Sequence, residues 1–150
     1  IRLIRKYKPD VVICNAPHDR HPDHGRGSEL VVQSCFYSGL RKVETEDNGV
    51  QQEAWRPKQV YHYIQFYDLV ADFSVDVSGY VQKKMDSIHA HASQFYDPNS
   101  DEPATVISSK QFHDSITGRM VEWGRIIGVA HAEGFIKERT LGLHQITDLI

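Results

Sequence analysis

The sequence predicts an α/β fold built on a parallel sheet, and three patterns support this prediction. The run VVIC at 11–14 is apolar throughout, which is typical of a strand buried on both faces of a parallel sheet. Segments 59–66 and 72–78 alternate between apolar and polar residues, as half-buried strands do. Segments 80–96 and 111–135 repeat their apolar residues at helical spacing, as amphipathic helices do. Strand and helix patterns therefore follow one another along the chain.

The chain opens with a helical pattern that leads directly into the first strand. Ile1, Ile4 and Tyr7 lie at helical spacing, and Lys8-Pro9-Asp10 ends the helix because proline lacks the amide hydrogen that a helix interior needs. A helix before a parallel strand implies an earlier strand in the same sheet. We therefore expect residues 1–150 to form a single domain that is the later part of a larger α/β domain, with the first strand missing.

A polar loop and a short helix are predicted to follow the first strand. Residues 15–27 are too polar for a buried element and too rich in His and Asp for a flexible linker. Residues 28–40 are predicted as a helix, with Ser28 as its N-cap and Gly39 as its C-terminal stop. Residues 41–58 show little hydrophobic pattern and are predicted to form a long loop with weak structure.

The second half of the chain is predicted to contain two strands, two helices, a loop and a tail, and Ser78 is a candidate cap for the first helix. Interior glycines cost about 1 kcal/mol each relative to alanine, so the glycines of the second helix predict close packing against a neighbour. In chain order, these elements are the strands 59–66 and 72–78, the helix 80–96, the loop 97–105, the helix 111–135 and the tail 136–150.

The composition is that of a soluble globular protein. Of the 150 residues, 40% are hydrophobic and 25% are charged, and the formal net charge is -3. A weakly acidic chain has no electrostatic attraction for nucleic acid or for a membrane surface, and no apolar run approaches the length of a membrane helix. Cys14 and Cys35 are too few for a disulfide framework, so we expect a reducing, cytoplasmic location.

The stretch APHDRHPDHGRGSE at 16–29 predicts metal chemistry. It follows the carboxyl end of a predicted parallel strand, where open α/β sheets bind ligands. Neutral imidazole is a common zinc ligand, and a liganding histidine usually has a carboxylate partner. Pro22 is expected to keep His21 and His24 off a single helical face. We therefore predict that one ring binds metal, whereas the other, paired with Asp23, holds a proton as an acid or an oxyanion stabiliser.

A simpler interpretation of this stretch remains open. A polar loop with several histidines is often only solvated surface, and HxxH outside a helix is a weak pattern. His18, Asp19 and Arg20 are interpreted as ordinary loop residues, and Cys14 as a small core residue. The histidines outside the stretch are interpreted as satisfied or solvent-facing.

An ordered set of segments resembles one enzyme family over nearly the whole chain. The segment KPDVVICNAPHDRHPDHGRGSELV at 8–31 is similar to the second conserved block of the PIG-L/LmbE-like zinc-dependent de-N-acetylases of N-acetylglucosamine derivatives. Later segments resemble the branch that makes bacillithiol by removing acetate from N-acetylglucosaminyl-malate. They are RPKQVYHYIQ at 56–65, FSVDVSGYVQKKMDSIHAHASQF at 73–95, ATVIS at 104–108 and AEGF at 132–135.

The resemblance implies a Rossmann-like fold, a cofactor that is zinc or another divalent metal, and roles for four residues. It implies that His24 is a metal ligand, that His21 stabilises the oxyanion and protonates the leaving amine, and that Asp23 orients and charge-stabilises His21. It also implies that Arg56 lies near the sugar or its acidic aglycone. The implied partners are a small N-acetyl sugar conjugate and further copies of the chain in a trimer or hexamer.

The chain departs from the family pattern in two places. The family's first motif, an AHPDDE-like stretch after its first strand, supplies the other His and Asp ligands and the general-base Asp, and it is absent here. We therefore expect this chain to hold one of three protein ligands and to be inactive alone, although the intact protein is an enzyme. His131 stands where the family often has a tyrosine before AEGF, so that position lacks a hydroxyl.

Three functional hypotheses follow from these residues and this resemblance. The first is a zinc-dependent deacetylase of N-acetylglucosaminyl-malate. The second keeps the fold and the metal but takes another N-acetyl sugar or amide conjugate, and a substrate panel separates it from the first. The third is a non-catalytic sugar-binding or assembly module with a vestigial metal site, which would have no HPDD-like stretch in the preceding part of its gene.

Overall fold

The computed structural model describes residues 1–149 and confirms a mixed α/β fold. The chain forms two compact units, the first made of Ile1–Asp72 and the chain from Phe135 onward, the second of Phe73–Gly134. In chain order, the elements are α1 (Arg2–Tyr7), β1 (Val11–Cys14), α2 (Pro22–Ser38), β2 (Glu46–Asp47), β3 (Val50–Gln51), β4 (Gln59–Tyr63), β5 (Phe73–Asp76), a 3-10 turn (Ser78–Tyr80), α3 (Val81–His89), α4 (Lys110–Ile127), β6 (Ala132–Lys137) and a 3-10 turn (Ile146–Leu149).

The sheet of the first unit brings the ends of β1 and β4 to one edge. β1 pairs with β4 in parallel, with Cys14 opposite His62, and β4 pairs with β6 in antiparallel, with His62 opposite Ile136. Because parallel strands end at the same edge of a sheet, the segments that follow β1 and β4 emerge side by side. These two segments, 15–21 and 64–67, form the candidate site described below together with the first turn of α2.

β1 is an edge strand within residues 1–149. The prediction that it is buried on both faces is wrong, because two of its four residues are exposed. Cys14 belongs to the core with Cys35 and Val60, and α2 covers that face of the strand. The opposite face is open, since 56% of Ile13 is exposed. A strand paired on one side and covered on one face leaves alternate side chains in solvent. The missing first strand stays a prediction.

The helix after the site loop begins at Pro22, six residues before the predicted start at Ser28. Proline is well tolerated in the first turn of a helix, because amide hydrogens in that turn have no carbonyl partner within the helix and the one that proline lacks is not needed. His21 is the N-cap, and Ser28 instead lies buried inside α2. The helix ends at Gly39, as predicted.

Arg5 stabilises the carboxyl end of α2 from a fully buried position. Its guanidinium donates to the carbonyl oxygens of Ser38 at 3.0 Å and Leu40 at 2.9 Å, and to the hydroxyl of Thr45 at 2.8 Å. These partners satisfy the ion without a carboxylate, and a cation is favourable at the negative end of a helix dipole.

Replacing Arg5 by leucine is expected to lower the free energy of unfolding by about 2–4 kcal/mol, because buried acceptors lose a charged donor. Urea unfolding followed by circular dichroism measures this effect. Arg2→Leu is the matched control, since Arg2 is exposed on the same helix and its replacement should change the free energy by less than about 0.5 kcal/mol. Equal effects of the two variants would contradict the capping role.

The region 41–58, predicted as a loop with weak structure, contains a small hairpin. β2 and β3 pair in antiparallel across Asn48 and Gly49, which adopt φ angles of 52° and 78°. Asn-Gly accepts these left-handed conformations readily, so the pair forms a two-residue hairpin turn.

The second unit packs two helices with β5 and the first half of β6. Ser109 caps α4 by accepting a hydrogen bond from the amide of Phe112 at 3.1 Å. The prediction of a helix over 111–135 is wrong beyond Ile127, because Gly128 adopts a left-handed φ of 79° and ends it. A Cβ at Gly124 would lie 2.7 Å from the carbonyl oxygen of Val129, in the turn that follows the same helix. A Cβ at Gly118 would meet nothing within 4 Å, so the close packing against a neighbour that these glycines predict is wrong at Gly118.

The first helix of this unit is also shorter than predicted. α3 ends at His89 instead of continuing to residue 96, and its N-cap is Tyr80, not Ser78. The hydroxyl of Ser78 bonds instead to Asp76 and to the backbone of His131. None of the helices within residues 1–149 is both long and apolar enough to cross a bilayer.

Candidate functional site

The candidate site lies where the segments after β1 and β4 meet. The side-chain amide of Asn15 donates to the side-chain oxygen of Gln65 at 3.1 Å. Farther along, the ring of His18 stacks on Tyr67 with a centroid separation of 5.1 Å, and the guanidinium of Arg20 lies over the ring of Phe66. The two segments are therefore held together along their length, at the edge where sheets of this class bind ligands.

His21 and His24 come together because they occupy the first turn of α2. His21 is the N-cap, and its Nδ1 accepts a hydrogen bond from the amide of Asp23 at 3.2 Å. His24 lies three residues later, and its amide donates to the carbonyl of His21 at 3.0 Å. The ring centroids are 5.2 Å apart. The expectation that Pro22 would separate the imidazoles is wrong, because a proline at the first helical position starts the turn that pairs them.

Asp19 is a member of the site that sequence reasoning treated as an ordinary loop residue. Its side chain is 1% exposed, and its Oδ2 lies 2.5 Å from Nδ1 of His24. Its Oδ1 accepts from the amides of Phe66 at 3.1 Å and Tyr67 at 3.3 Å. Burial raises the pKa of Asp19, but the bonds from His24 and from backbone amides outweigh burial, so the pKa lies below its ordinary value.

The hydrogen-bond partners of the two histidines favour opposite tautomers of their rings. An ionised carboxylate only accepts, so Nδ1 of His24 carries the hydrogen and its Nε2 keeps a free electron pair. A backbone amide only donates, so Nδ1 of His21 holds the electron pair and its Nε2 carries the hydrogen. His24 is thus suited to bind a metal ion and His21 to donate a hydrogen bond.

Asp23 contacts His21 mainly through its backbone amide, and its carboxylate lies farther from the ring. Its Oδ2 lies 3.9 Å from Nδ1 of His21, and its Oδ1 accepts from Arg26 at 3.3 Å. Both of its ion-pair partners are exposed. The carboxylate is near enough to approach the imidazole when that ring is protonated, and its orienting role stays a prediction.

Arg56 is not brought together with the histidines. Its guanidinium donates to the carbonyl oxygen of Phe36 at 2.8 Å, lies 4.6 Å from the centroid of that residue's ring, and leaves no space for a Cβ at Gly39. Phe36 lies near the carboxyl end of α2, whereas His21 caps its amino end. At 1.5 Å per residue, the two residues are about 20 Å apart. The contacts of Arg56 are those of a helix cap, and its substrate role stays a prediction.

The described residues fit a metal ion at one ligand position. A carboxylate that holds the other nitrogen of a liganding imidazole is the usual partner in zinc sites, and Asp19 has this relation to His24. Within residues 1–149, no three His, Cys, Asp or Glu side chains form a group that could hold a metal ion. Cys14 is buried, which raises the pKa of its thiol to about 11, so it is neither a thiolate ligand nor a nucleophile at neutral pH.

Replacing Asp19 by asparagine is expected to reverse the tautomer of His24. Two backbone amides donate to the Oδ1 position, so the oxygen of the asparagine side chain would stay there. Its NH2 group would then face His24 and donate to Nδ1 of that ring. The hydrogen of the ring would then move to Nε2 and block the metal-binding electron pair. Nitrogen-15 NMR of the histidine rings measures the tautomer, and metal affinity should fall about 10–100-fold.

Asp68→Asn is the matched control, because Asp68 is exposed in the segment after β4 and the substitution removes the same charge. A D19N protein in which Nδ1 of His24 stays protonated and metal affinity equals that of the control would contradict the role of Asp19.

His131 lies in the second unit. Its amide donates to the hydroxyl of Ser78 at 3.1 Å, its carbonyl oxygen accepts from the amide of Val77 at 3.0 Å, and its Nδ1 is buried without a hydrogen-bond partner among the described residues. The residue therefore joins the end of β5 to the start of β6 through its backbone.

Comparison with solved structures identifies the fold. The conserved protein TT1542 from Thermus thermophilus superposes with a TM-score of 0.76 at 24% identity, over 95% of this chain and 58% of that chain. The N,N'-diacetylchitobiose deacetylase from Pyrococcus horikoshii, in complex with an inhibitor, gives a TM-score of 0.69 at 24% identity over 99% and 54%. The chain has their mixed α/β fold. No family model matches it.

The same fold also occurs in a protein of different chemistry. The 4-carboxy-2-hydroxymuconate hydratase GalB from Pseudomonas putida KT2440 has a TM-score of 0.69 at 15% identity, over 97% of this chain and 58% of that chain. The fold alone therefore does not decide the reaction.

Among curated proteins, the diacetylchitobiose deacetylase of Thermococcus kodakarensis is 26% identical over 98 residues, which are 63% of this chain and 36% of that protein. The chain thus spans about a third of this relative and little more than half of the solved structures.

Proposed function

We propose that this chain carries part of the active site of a metal-dependent de-N-acetylase that acts on an N-acetylglucosamine conjugate. The observation that carries the proposal is the pair of partners at Nδ1, the carboxylate of Asp19 for His24 and the amide of Asp23 for His21. These partners favour opposite tautomers, and amide hydrolysis needs both a ligand for a Lewis acid and a donor for the developing oxyanion. The sequence similarity to a diacetylchitobiose deacetylase supports the same reaction and the same class of sugar.

In this proposal, His24 binds zinc through Nε2, with Asp19 fixing the ring. Zinc, when bound, polarises the amide carbonyl and lowers the pKa of a water molecule toward about 7. The position at the amino end of α2 adds to this effect, since the positive end of the helix dipole favours the negative charge that develops on the substrate.

His21 first donates its Nε2 hydrogen to the substrate oxygen as negative charge develops there. The attacking water gives up a proton as its bond to the amide carbon forms, and the solvent-exposed Nδ1 of His21 takes up that proton by way of solvent. The amide of Asp23 then ceases to be a suitable partner, and the carboxylate of Asp23, which lies 3.9 Å away, becomes one. The protonated ring then gives its Nε2 proton to the leaving amine as the carbon–nitrogen bond breaks. In this order of steps, the carboxylate of Asp23 has a role only while His21 is protonated.

The remaining metal ligands are proposed to come from a further strand beside β1. Within residues 1–149, one edge of β1 has no partner strand and offers a place for such a strand in parallel pairing. Its carboxyl end would lie at the same edge of the sheet as His24, where a complete ligand set needs it. The family resemblance of 8–31 supports this arrangement, and the bacillithiol branch makes N-acetylglucosaminyl-malate the first substrate to test.

Acetate release by the full-length protein tests the proposed function. The substrates are N-acetylglucosaminyl-malate, N,N'-diacetylchitobiose, free N-acetylglucosamine and an N-acetyl amino acid. We expect acetate from at least one sugar conjugate, loss of activity with a chelator and recovery with zinc. Release from the amino acid alone would favour the second hypothesis of another amide substrate. A zinc-loaded protein that releases no acetate from any of them would contradict deacetylation.

A further inference from the structure

His62 is a buried imidazole that the proposed mechanism does not use. It lies in β4, the middle strand of the first unit's sheet, and its side chain is 1% exposed. Fully buried polar groups require hydrogen-bond partners, and His62 has four within the first unit. These partners determine where its hydrogens are.

Nδ1 of His62 carries a hydrogen. It lies 2.8 Å from the carbonyl oxygen of Asn15, 3.0 Å from the hydroxyl of Ser28 and 3.4 Å from the sulfur of Cys14. A carbonyl oxygen cannot donate, and it is the nearest of the three, so the ring must be the donor.

Nε2 of His62 carries a hydrogen as well. It lies 3.1 Å from Oε2 of Glu138. Without a proton between them, two electron pairs would face each other at hydrogen-bonding distance. The side chain of Glu138 is 46% exposed, and its carboxylate oxygen is the acceptor for the hydrogen that lies between the two groups. By this geometry, both ring nitrogens of His62 act as donors, Nδ1 to Asn15 and Nε2 to Glu138.

We propose that the His62–Glu138 pair is the positioning device of the site. The ring binds Asn15, which begins the segment that holds Asp19, and Ser28, which lies one helical turn after His24 on the same side of α2. One rigid donor thus fixes both chain segments whose side chains form the Asp19–His24 bond. Its effect on turnover rests on the proposed function, whereas its protonation does not.

Nitrogen-15 NMR of the histidine rings at neutral pH tests the protonation directly. We expect both ring nitrogens of His62 to be protonated in the wild-type protein. In Glu138→Gln, the carboxamide can donate to Nε2, so the ring should become neutral with a hydrogen on Nδ1 alone. An unprotonated Nε2 in the wild-type protein would overturn the assignment, whatever the protein's activity.

Two substitutions of His62 test the positioning role in the full-length protein. In His62→Asn, the side-chain amide occupies the place of Nδ1 and donates to Asn15, whereas His62→Leu offers no donor. We expect kcat for acetate release to fall about 100-fold in H62L with little change in KM, as displacement of a catalytic group by about 1 Å does. H62N should recover at least tenfold of that loss, which a purely space-filling role would not allow.

Equal kcat values for H62N and H62L would overturn the positioning role. If H62L does not fold, H62N is compared with the wild-type protein alone: a kcat within tenfold of the wild type supports the role, and an H62N protein as inactive as the chelated wild type overturns it. A wild-type protein that releases no acetate contradicts the proposed function alone, because the NMR result on His62 is independent of it.

Discussion

His24→Ala is expected to lose stoichiometric zinc and, with it, acetate release. In the proposed function, the imidazole of His24 is the metal ligand, and the carboxylate of Asp19 lies at its Nδ1, which leaves Nε2 for the metal. Removal of a ligand should weaken binding more than removal of its carboxylate partner, which costs about 10–100-fold. Metal analysis of the full-length protein after dialysis measures the loss, and titration with cobalt gives the affinity.

His18→Ala is the control for His24. His18 belongs to the same segment and is exposed, but it stacks on Tyr67 and has no carboxylate partner in the described residues. Its variant should keep the metal. A His24→Ala protein that retains zinc at the wild-type ratio would show that the ligand lies elsewhere, and the assignment of the site would fail with it.

His21→Ala is expected to keep zinc and lose about 10²–10⁴-fold in kcat, the range typical of a general acid. The physical reason is its tautomer, since the hydrogen on Nε2 is the one that reaches the substrate. Steady-state kinetics together with metal analysis separate this outcome from that of His24→Ala, in which activity and metal disappear together.

A second substitution separates catalysis from helix capping at the same position. As the N-cap of α2, the His21 side chain accepts a hydrogen bond from the amide of Asp23. His21→Ala should therefore also lower the free energy of unfolding by about 0.5–2 kcal/mol. Asparagine is a good N-cap but has no hydrogen where Nε2 was. His21→Asn should therefore recover stability without recovering kcat. Recovery of kcat in that variant would reduce the role of His21 to capping.

Local patterns in the sequence were sufficient for the mixed α/β fold class, and they also predict where the candidate site lies. Alternation at 59–66 predicts β4, and the apolar run at 11–14 predicts β1, because side-chain periodicity is set by the strand itself. A polar loop after a parallel strand then predicts a ligand site, and the His-Pro-Asp-His stretch predicts its chemistry. These inferences depend only on residues that are close to one another in the sequence.

Errors arose where a local signal has two structural meanings. Proline in HPDH predicts a break between the two histidines, but proline is also favoured at the first position of a helix, and that position pairs His21 with His24. Asn-Gly at 48–49 was placed in a weakly structured loop, although the same dipeptide makes a tight hairpin. In each case the strands and helices around the signal decide between the meanings.

The sequence by itself determined the mixed α/β class, and it predicts the loop of the candidate site and the histidines in it. Only the tertiary structure decided that Asp19 holds His24, that Arg56 caps a helix end, and that His62 lies between Asn15 and Glu138. The reason is the range of the interactions. Periodicity and turn chemistry act over a few residues, whereas these hydrogen bonds join segments up to 76 positions apart, and their partners meet only when β1, β4 and β6 align in the sheet.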